Sequence, residues 1–310
     1  MEKRKLGKSG IEVSVIGLGC NNFGAMKIDA SRRVIDAAID HGITLFDTAD
    51  VYGNRGGSEE QLGEVLGARR KDIVLATKFA MPMDDSGAKS GASAAYIREA
   101  CEASLKRLKT DWIDLYQQHR PDQKTPIEET LRALDDLVKQ GKVRAIGCSN
   151  YSAKELGNAQ DAAAHEKVAP FVTVQDELSL LARDVERELL PEVEARGLSF
   201  LPYFPLASGL LTGKYRRNAA APKGSRLAYS AHHSDVMNDR NWARLDKLNA
   251  VAVRSGHSLL ELAFGWLLAK PVMGSVIAGA TRPEQIEQNV AAAGRRPSPE
   301  IIAEIDAITK

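Results

Sequence analysis

Asp47, Tyr52, Lys78 and His119 are residue types that suit one reaction together. A tyrosine at its ordinary pKa of about 10 is a poor acid near neutrality. An ammonium beside it stabilises the phenolate and lowers that pKa, and a carboxylate holds the ammonium in place. A neutral histidine can then donate to a substrate oxygen and orient it. Such a set is suited to protonating an oxygen while a hydride reaches the adjoining carbon. Each of the four follows or ends a short apolar run. Other runs end in groups of the same character: Gly147-Cys148-Ser149-Asn150, Gln175-Asp176-Glu177, and Tyr203 through Gly209. A scaffold with no chemistry to perform has no need of a hydrogen-bonding group at every such end.

The elements that must position these residues alternate along the chain. The apolar, β-rich runs are Val15–Leu18, Thr44–Asp47, Ile73–Thr77, Ile113–Tyr116, Val143–Ile146, Phe171–Val174, Leu198–Leu201 and Gly274–Ile277. Continuous apolar runs of this length suit strands buried on both faces of a parallel sheet. Between them lie amphipathic segments with readable starts. Thr125-Pro126-Ile127-Glu128 predicts an N-cap threonine, a first-turn proline and a capping-box glutamate. The helix that follows buries Leu131, Leu134, Leu137 and Val138 and stops at Gly141. Ser58…Gln61, Ser152…Glu155 and Thr281…Glu284 repeat the capping-box pattern. The first helix carries Val34/Ala38 and Ile35/Ile39 on one stripe, with Asp29 as its cap.

Eight strands, each followed by helical sequence, predict an α/β fold of the (β/α)8 TIM-barrel type, a single domain over residues 1–310, with a C-terminal extra helix. A doubly wound sheet with a second domain would need a linker, and none shows between residues 15 and 213. Residues 3–14 are expected to form an N-terminal β-hairpin about Lys8-Ser9-Gly10, plugging the bottom of the barrel. Residues 214–240 are polar, weakly periodic and long for a connection, which suggests a loop that is either functional or mobile. In such a barrel the chemistry sits at the C-terminal ends of the strands, where the four residues fall.

Composition removes several other classes. With 310 residues the chain buries roughly three quarters of its unfolded surface, enough for a large core. A formal charge of +1, from 42 Lys and Arg against 41 Asp and Glu, gives no global pull toward nucleic acid or an acidic membrane. Cys20, Cys101 and Cys148 show neither metal-ligand nor disulfide spacing, so a reducing, cytoplasmic setting is expected. The charged start has no apolar signal core, and Leu259 to Ala280 is interrupted by Glu261 and Lys270. No metal is expected; the six histidines include the His232-His233 pair in the long loop, away from the strand ends. Gly17-Leu18-Gly19 lacks the third glycine and following helix of a dinucleotide fingerprint, and reads as a strand-end turn whose backbone leaves room for close approach.

The set Asp47…Tyr52…Lys78…His119 resembles the catalytic tetrad of the aldo-keto reductase family. The surrounding runs resemble it as well: Asp47 to Gly53, Ala76-Thr77-Lys78, Gln118-His119-Arg120-Pro121-Asp122, Ile146 to Asn150, and Pro205 to Tyr215. The resemblance spans Gly17 to Asn289. The Pro202 to Tyr215 run is similar to bacterial members near the inositol-catabolism and potassium-channel β-subunit branches.

The resemblance implies that Tyr52 is the general acid in reduction, with its pKa lowered by Lys78. Asp47 pairs with Lys78, and His119 orients the carbonyl. It implies NADP(H) as cofactor, with the nicotinamide held by Ser149, Asn150 and Gln175 and stacked on Tyr203. Leu206, Ser208, Gly209, Leu211 and Lys214 then surround the pyrophosphate. The adenosine end falls on Gly279, Thr281, Arg282, Gln285 and Asn289. Thr281 caps a helix N-terminus that suits an anion, and Arg282 suits a 2′-phosphate. Gly279 stands where many members carry lysine, and Gln288 where glutamate is common. A substrate pocket is expected from Phe23, Met26, Val51, Phe79 and Arg120. The function implied is reduction of aldehydes or ketones to alcohols. The alternatives are the reverse oxidation of a polyol, sugar or cyclitol, and a nicotinamide-binding regulatory protein. The expected partner is a small carbonyl or alcohol substrate.

Overall fold

Each apolar run overlaps a strand; most of the strands start a residue or two later, and most continue past the apolar residues toward their C-terminal ends. The computed structural model describes residues 1–228 and 236–310. It opens on the expected hairpin, β1 (Lys3–Lys5) paired antiparallel with β2 (Glu12–Ser14). Then come β3 (Ile16–Gly19), α1 (Ile28–Asp40), β4 (Leu45–Asp47), α2 (Tyr52–Leu66), β5 (Val74–Phe79) and α3 (Ala94–Leu108). They are followed by β6 (Ile113–Gln118), α4 (Ile127–Lys139), β7 (Val143–Ser149), α5 (Ala153–Glu166), β8 (Phe171–Glu177) and α6 (Leu189–Arg196). The rest is β9 (Ser199–Tyr203), α7 (Asp239–Ser255), α8 (Leu259–Leu268), β10 (Val276–Gly279), α9 (Pro283–Gly294) and the C-terminal extra helix α10 (Pro299–Thr309).

Strands β3 to β9 lie in chain order in one parallel sheet, and β10 pairs with β3 on its other side. The remaining gap, between β9 and β10, is bridged at Phe200, whose N–H donates to Val272 O at 2.8 Å while its carbonyl accepts from Gly274 N at 2.9 Å. The sheet is thus nearly closed into a barrel.

Strand periodicity explains how the barrel positions chemistry. Leu45, Val74, Ala76, Leu115, Ala145, Leu201 and Ile277 form one small apolar cluster with Leu6, Ile11 and Val13 of the hairpin segment. The hairpin therefore plugs the bottom, as expected. Two residues further along a strand the same face recurs. From Leu45, Ala76, Leu115 and Leu201 that step leads to Asp47, Lys78, Gln117 and Tyr203. An apolar floor thus gives way to a polar rim within one residue pair, and this is why the strands outlast their apolar runs.

The larger core lies between sheet and helices. In α4, Leu131, Leu134 and Leu137 are fully buried, each contributing about 1.5–3 kcal/mol by leaving water; Val138 is half-buried. In α1, Val34, Ile35 and Ala38 are buried.

The caps differ from expectation. Ser152 and Glu155 form the predicted capping box. Thr125 instead donates to Asp122 Oδ2 at 2.8 Å, and Pro126 takes the cap position without a side-chain bond. Ser58 lies inside α2, its hydroxyl donating to Cys20 O at 2.8 Å. Asp29 falls in the first turn of α1, after Lys27 at the cap. Thr281 precedes the cap of α9, which is Arg282. Each displaced residue found a stronger partner or a register one step away, which spacing alone does not decide. Among the described residues no helix is long and apolar enough to cross a membrane.

In the 214–240 segment, residues 229–235 lie outside the described residues. Before them the chain is pinned by Tyr215 and Leu227, both buried, and α7 begins at Asp239.

Candidate active site

The four residues picked out by their chemistry converge on the rim. Lys78 is fully buried, and its Nζ donates to Asp47 Oδ2 at 2.7 Å and to Thr48 O at 2.9 Å. The same nitrogen lies 5.2 Å from the centroid of the Tyr52 ring. Gln117 Nε2 and Gln175 Nε2 both donate to Asp47 Oδ1, at 3.2 and 2.9 Å. The carboxylate thus receives donors from three strands and is oriented from all of them. Gly147 makes room for this: a Cβ there would stand 2.3 Å from Thr173 Oγ1 and 3.3 Å from Gln117 Cγ.

Burial opposes the charge on Lys78, but Asp47 and Tyr52 outweigh it and hold the ammonium pKa above its ordinary value. For Tyr52 the balance falls the other way. Burial is the largest influence and pushes the phenol up, while Lys78 pulls it down without prevailing. The sequence expectation of a lowered tyrosine is corrected here for the protein alone, because desolvation exceeds the field of one paired ammonium. Burial thus keeps the Tyr52 phenol protonated at neutral pH in the protein alone.

His119 meets Tyr52 edge to face, ring centroids 5.7 Å apart. Burial first, then the charges of Lys78 and Arg120, push its pKa down to about 3, so the ring is neutral. Its Nδ1 is buried without a partner. The His119 carbonyl accepts from Asn150 Nδ2 at 3.0 Å, which also donates to Ser149 Oγ at 2.9 Å. Tyr203 OH donates to Asn150 Oδ1 at 2.9 Å. Ser149, Asn150 and Tyr203 therefore form one hydrogen-bonded chain tied to the tetrad, with Gln175 joined to it through Asp47.

Tyr52 opens α2 on an unusual backbone. Gly53, Asn54, Arg55 and Gly56 have φ of 68°, 63°, 66° and 121°, a left-handed turn that only the two glycines adopt without strain. Arg55 is anchored across it to Asp85 at 2.6 Å.

The cofactor residues expected beyond the nicotinamide divide into two groups. Ala207, Ser208 and Gly209 have φ of 45°, 56° and 93°, and Lys214 folds against them; a Cβ on Gly209 would lie 3.0 Å from its Nζ. Successive backbone N–H groups in such a turn, with an ammonium beside them, form a concavity that fits an anion. Leu206 is half-buried, whereas the Leu211 side chain is fully buried and turned into the core. At the other end Gly279, Thr281 and Arg282 are exposed and Asn289 is buried. Gln285 Oε1 accepts from Thr281 N at 2.7 Å. Arg282 is held only loosely by Glu284, at 3.9 Å.

Of the pocket residues expected, Met26 and Val51 are half-buried and Arg120 is exposed. Phe23 and Phe79 are corrected: both have 0% exposure, and Phe79 packs on Tyr116 with centroids 4.8 Å apart. Their positions alternate onto the helix-facing side of the sheet or into its cover, so they offer no surface to a substrate.

Three residues were missed. Gln117 shares the face of Leu115 and lies in register with Lys78, so period-two counting would have found it. Asp50 is buried with both carboxyl oxygens unpartnered. Arg226 stands over the Phe204 ring at 4.8 Å, and its charge acts on Tyr52. It comes from an aperiodic loop that carries no sequence signal.

Comparison with known proteins agrees with this geometry. Residues 15–310 match the Aldo/keto reductase family, and the chain belongs to that family as an oxidoreductase. It is 37% identical to a probable voltage-gated potassium channel β subunit of Arabidopsis thaliana, over 94% of this chain and 91% of that protein. It is equally 37% identical to the uncharacterized oxidoreductase YrpG of Bacillus subtilis (strain 168), with the same coverage. An L-glyceraldehyde 3-phosphate reductase of Escherichia coli O157:H7 is 34% identical over 99% of this chain and 92% of that protein.

Proposed function

We propose that this aldo/keto reductase family member reduces small aldehyde or ketone carbonyls to alcohols with NADPH, Tyr52 delivering the proton. The observation that carries the reading is the buried Lys78, bonded to Asp47 at 2.7 Å and held beneath the Tyr52 ring, with neutral His119 edge-on to the same ring.

NADPH, when bound, supplies the hydride. The chain's own residues do the rest. Tyr52 and His119 both present donors toward a carbonyl oxygen entering between them, and Lys78 stabilises the phenolate left as Tyr52 gives up its proton. Burial of Lys78 and Asp47 keeps water from screening that effect. Asn150 and Ser149 brace the backbone of His119 and hold the rim that receives the nicotinamide, with Tyr203 beside it. The left-handed turn at Ala207–Gly209 and Lys214 suit the pyrophosphate, while Arg282 and the amide end of α9 suit the 2′-phosphate. Burial keeps the Tyr52 phenol protonated at neutral pH in the protein alone; the same residues serve reduction and the reverse oxidation, so the direction follows the cofactor ratio and the substrate.

The test is titration with NADPH and NADH, followed by an activated aromatic aldehyde, in wild type and Tyr52→Phe. Tight NADPH binding with turnover lost in the variant supports the reading. Cofactor binding without turnover on any carbonyl would move the chain to the regulatory role that its channel-subunit relative's name suggests.

A further inference from the structure

Gln117 and Gln118 are adjacent glutamines with opposite surroundings. Gln118 faces the helices, where its Oε1 accepts from Tyr151 OH at 2.7 Å. Gln117 faces the barrel interior, is fully buried, and donates to Asp47 Oδ1 at 3.2 Å. Its own Oε1 is buried without a partner. Below it on the same face is Leu115, within the apolar floor. An apolar side chain would fill that position without the desolvation cost that an unpaired amide oxygen carries. The position is explained by the donor it delivers to Asp47.

We infer that Gln117 is a positioning residue of the reaction: its amide holds Asp47 Oδ1 so that Oδ2 faces Lys78, and through that pair it governs proton delivery by Tyr52. The inference rests on the reading of Tyr52 as the proton donor. Gln175 donates to the same oxygen, but it sits at the rim where the nicotinamide is read to bind. Gln117 has no other side-chain partner among the described residues, and its strand neighbour Gly147 pairs with Thr173, two residues before Gln175 on β8. It is therefore the amide that keeps Asp47 oriented as cofactor comes and goes. The charged and titratable groups around the carboxylate are Lys78 on β5, Tyr52 on α2, His119 after β6 and Cys20 after β3, whose backbone N–H donates to the Asp47 carbonyl at 2.8 Å.

Two variants test this. Gln117→Met keeps the length and removes the donor. Gln117→Glu keeps the shape and returns a donor only when one of two adjacent carboxyls is protonated. Gln117→Met is expected to lower kcat about tenfold while the NADPH Kd stays within about twofold, the signature of a role confined to the chemical step. In the cofactor-free protein, ring-carbon NMR of Tyr52, assigned by its loss in Tyr52→Phe, is expected to titrate at higher pH in Gln117→Met, because the charge of Asp47 is then less neutralised. Gln117→Glu is expected to be the poorer enzyme at neutral pH and to recover on acidification.

Unchanged kcat and unchanged Tyr52 titration in Gln117→Met overturn the proposal, as does a loss shared equally by cofactor affinity. If Gln117→Met folds poorly, Gln117→Glu decides alone: recovery on acidification supports the role and its absence overturns it. The NMR arm separates this proposal from the functional reading. A wild type inert toward carbonyls whose Tyr52 still responds to Gln117→Met sinks the reaction and keeps the positioning.

Discussion

The Tyr52 and His119 rings stand at 83° to each other with centroids 5.7 Å apart, so the histidine presents to the tyrosine's edge a ring that carries no charge. Its pKa is held down to about 3 by burial, with Lys78 and Arg120 adding to it. An ordinary histidine titrates near 6.5. The pH profile of carbonyl reduction is therefore expected to show no acidic limb between about pH 5 and 8 that belongs to His119. The check is kcat against pH in wild type and His119→Asn. A limb near 6.5 that vanishes in the variant would show the histidine to be a titrating acid.

The Lys78–Asp47 pair predicts a split between stability and turnover. Lys78→Met leaves a buried carboxylate facing an apolar side chain, a change expected to cost about 3–5 kcal/mol. Gln117 and Gln175 offset part of this, because they still donate to Asp47. Adding Asp47→Asn removes the stranded charge and is expected to restore most of the stability. Turnover is expected to stay depressed by about 10²–10⁴-fold in both variants. Denaturant unfolding and kcat, measured on the same three proteins, give the comparison. Stability that does not return in the double variant would mean that the pair is a structural pillar independent of charge.

The sequence made the barrel readable because each strand is a continuous apolar run and each run ends in chemistry. It did not show how far the strands extend, since Lys78, Gln117 and Gln175 look like loop residues until the two-residue period is counted from Ala76, Leu115 and Thr173. Phe23 and Phe79 were misplaced for the reverse reason: a large aromatic near a strand end reads as pocket lining, and only the facing of the strand sends Phe79 onto Tyr116. The caps at Thr125 and Thr281 failed because Asp122 and Gln285, each within four residues, offered competing partners. Burial of Asp50 had no signal at all, because it is a property of the packing of α2 and α3 around it.

Asp50 supplies a prediction of opposite sign to the usual acidic residue. Burial first, then Glu59, raise its pKa to about 8, with Arg107 and Lys78 opposing. A carboxyl whose folded pKa lies above its unfolded value binds its proton more tightly when folded. Its contribution to stability is full below the unfolded pKa and is lost as pH rises through the folded one, here between about pH 4 and 8. Asp50→Asn is neutral throughout. It is expected to melt near the wild-type temperature at acidic pH and several degrees higher, about 3 °C or more, above pH 8. Thermal melts of both proteins across that range are the measurement. A variant that is less stable at every pH would show Asp50 to be ionised and paired in solution.

The adenosine end gives a prediction on cofactor choice. Arg282 is exposed, held only loosely by Glu284 at 3.9 Å, and sits at the cap of α9, where the helix dipole favours an anion. Gly279 contributes no side chain there, so no second cation backs it up from that position. A guanidinium engaging a phosphate is worth about 1.5–3 kcal/mol, which is at least about tenfold in affinity. Arg282→Ala is expected to weaken NADPH by at least about tenfold and to leave NADH unchanged, because NADH lacks the phosphate the arginine would meet. Lys214→Ala, beside the left-handed turn at Ala207–Gly209, is expected to weaken both cofactors alike, since the pyrophosphate is common to them. Fluorescence titration of the two variants with the two cofactors separates the cases. Equal losses for NADPH and NADH in Arg282→Ala would remove the arginine from the 2′-phosphate site and with it the preference for NADPH.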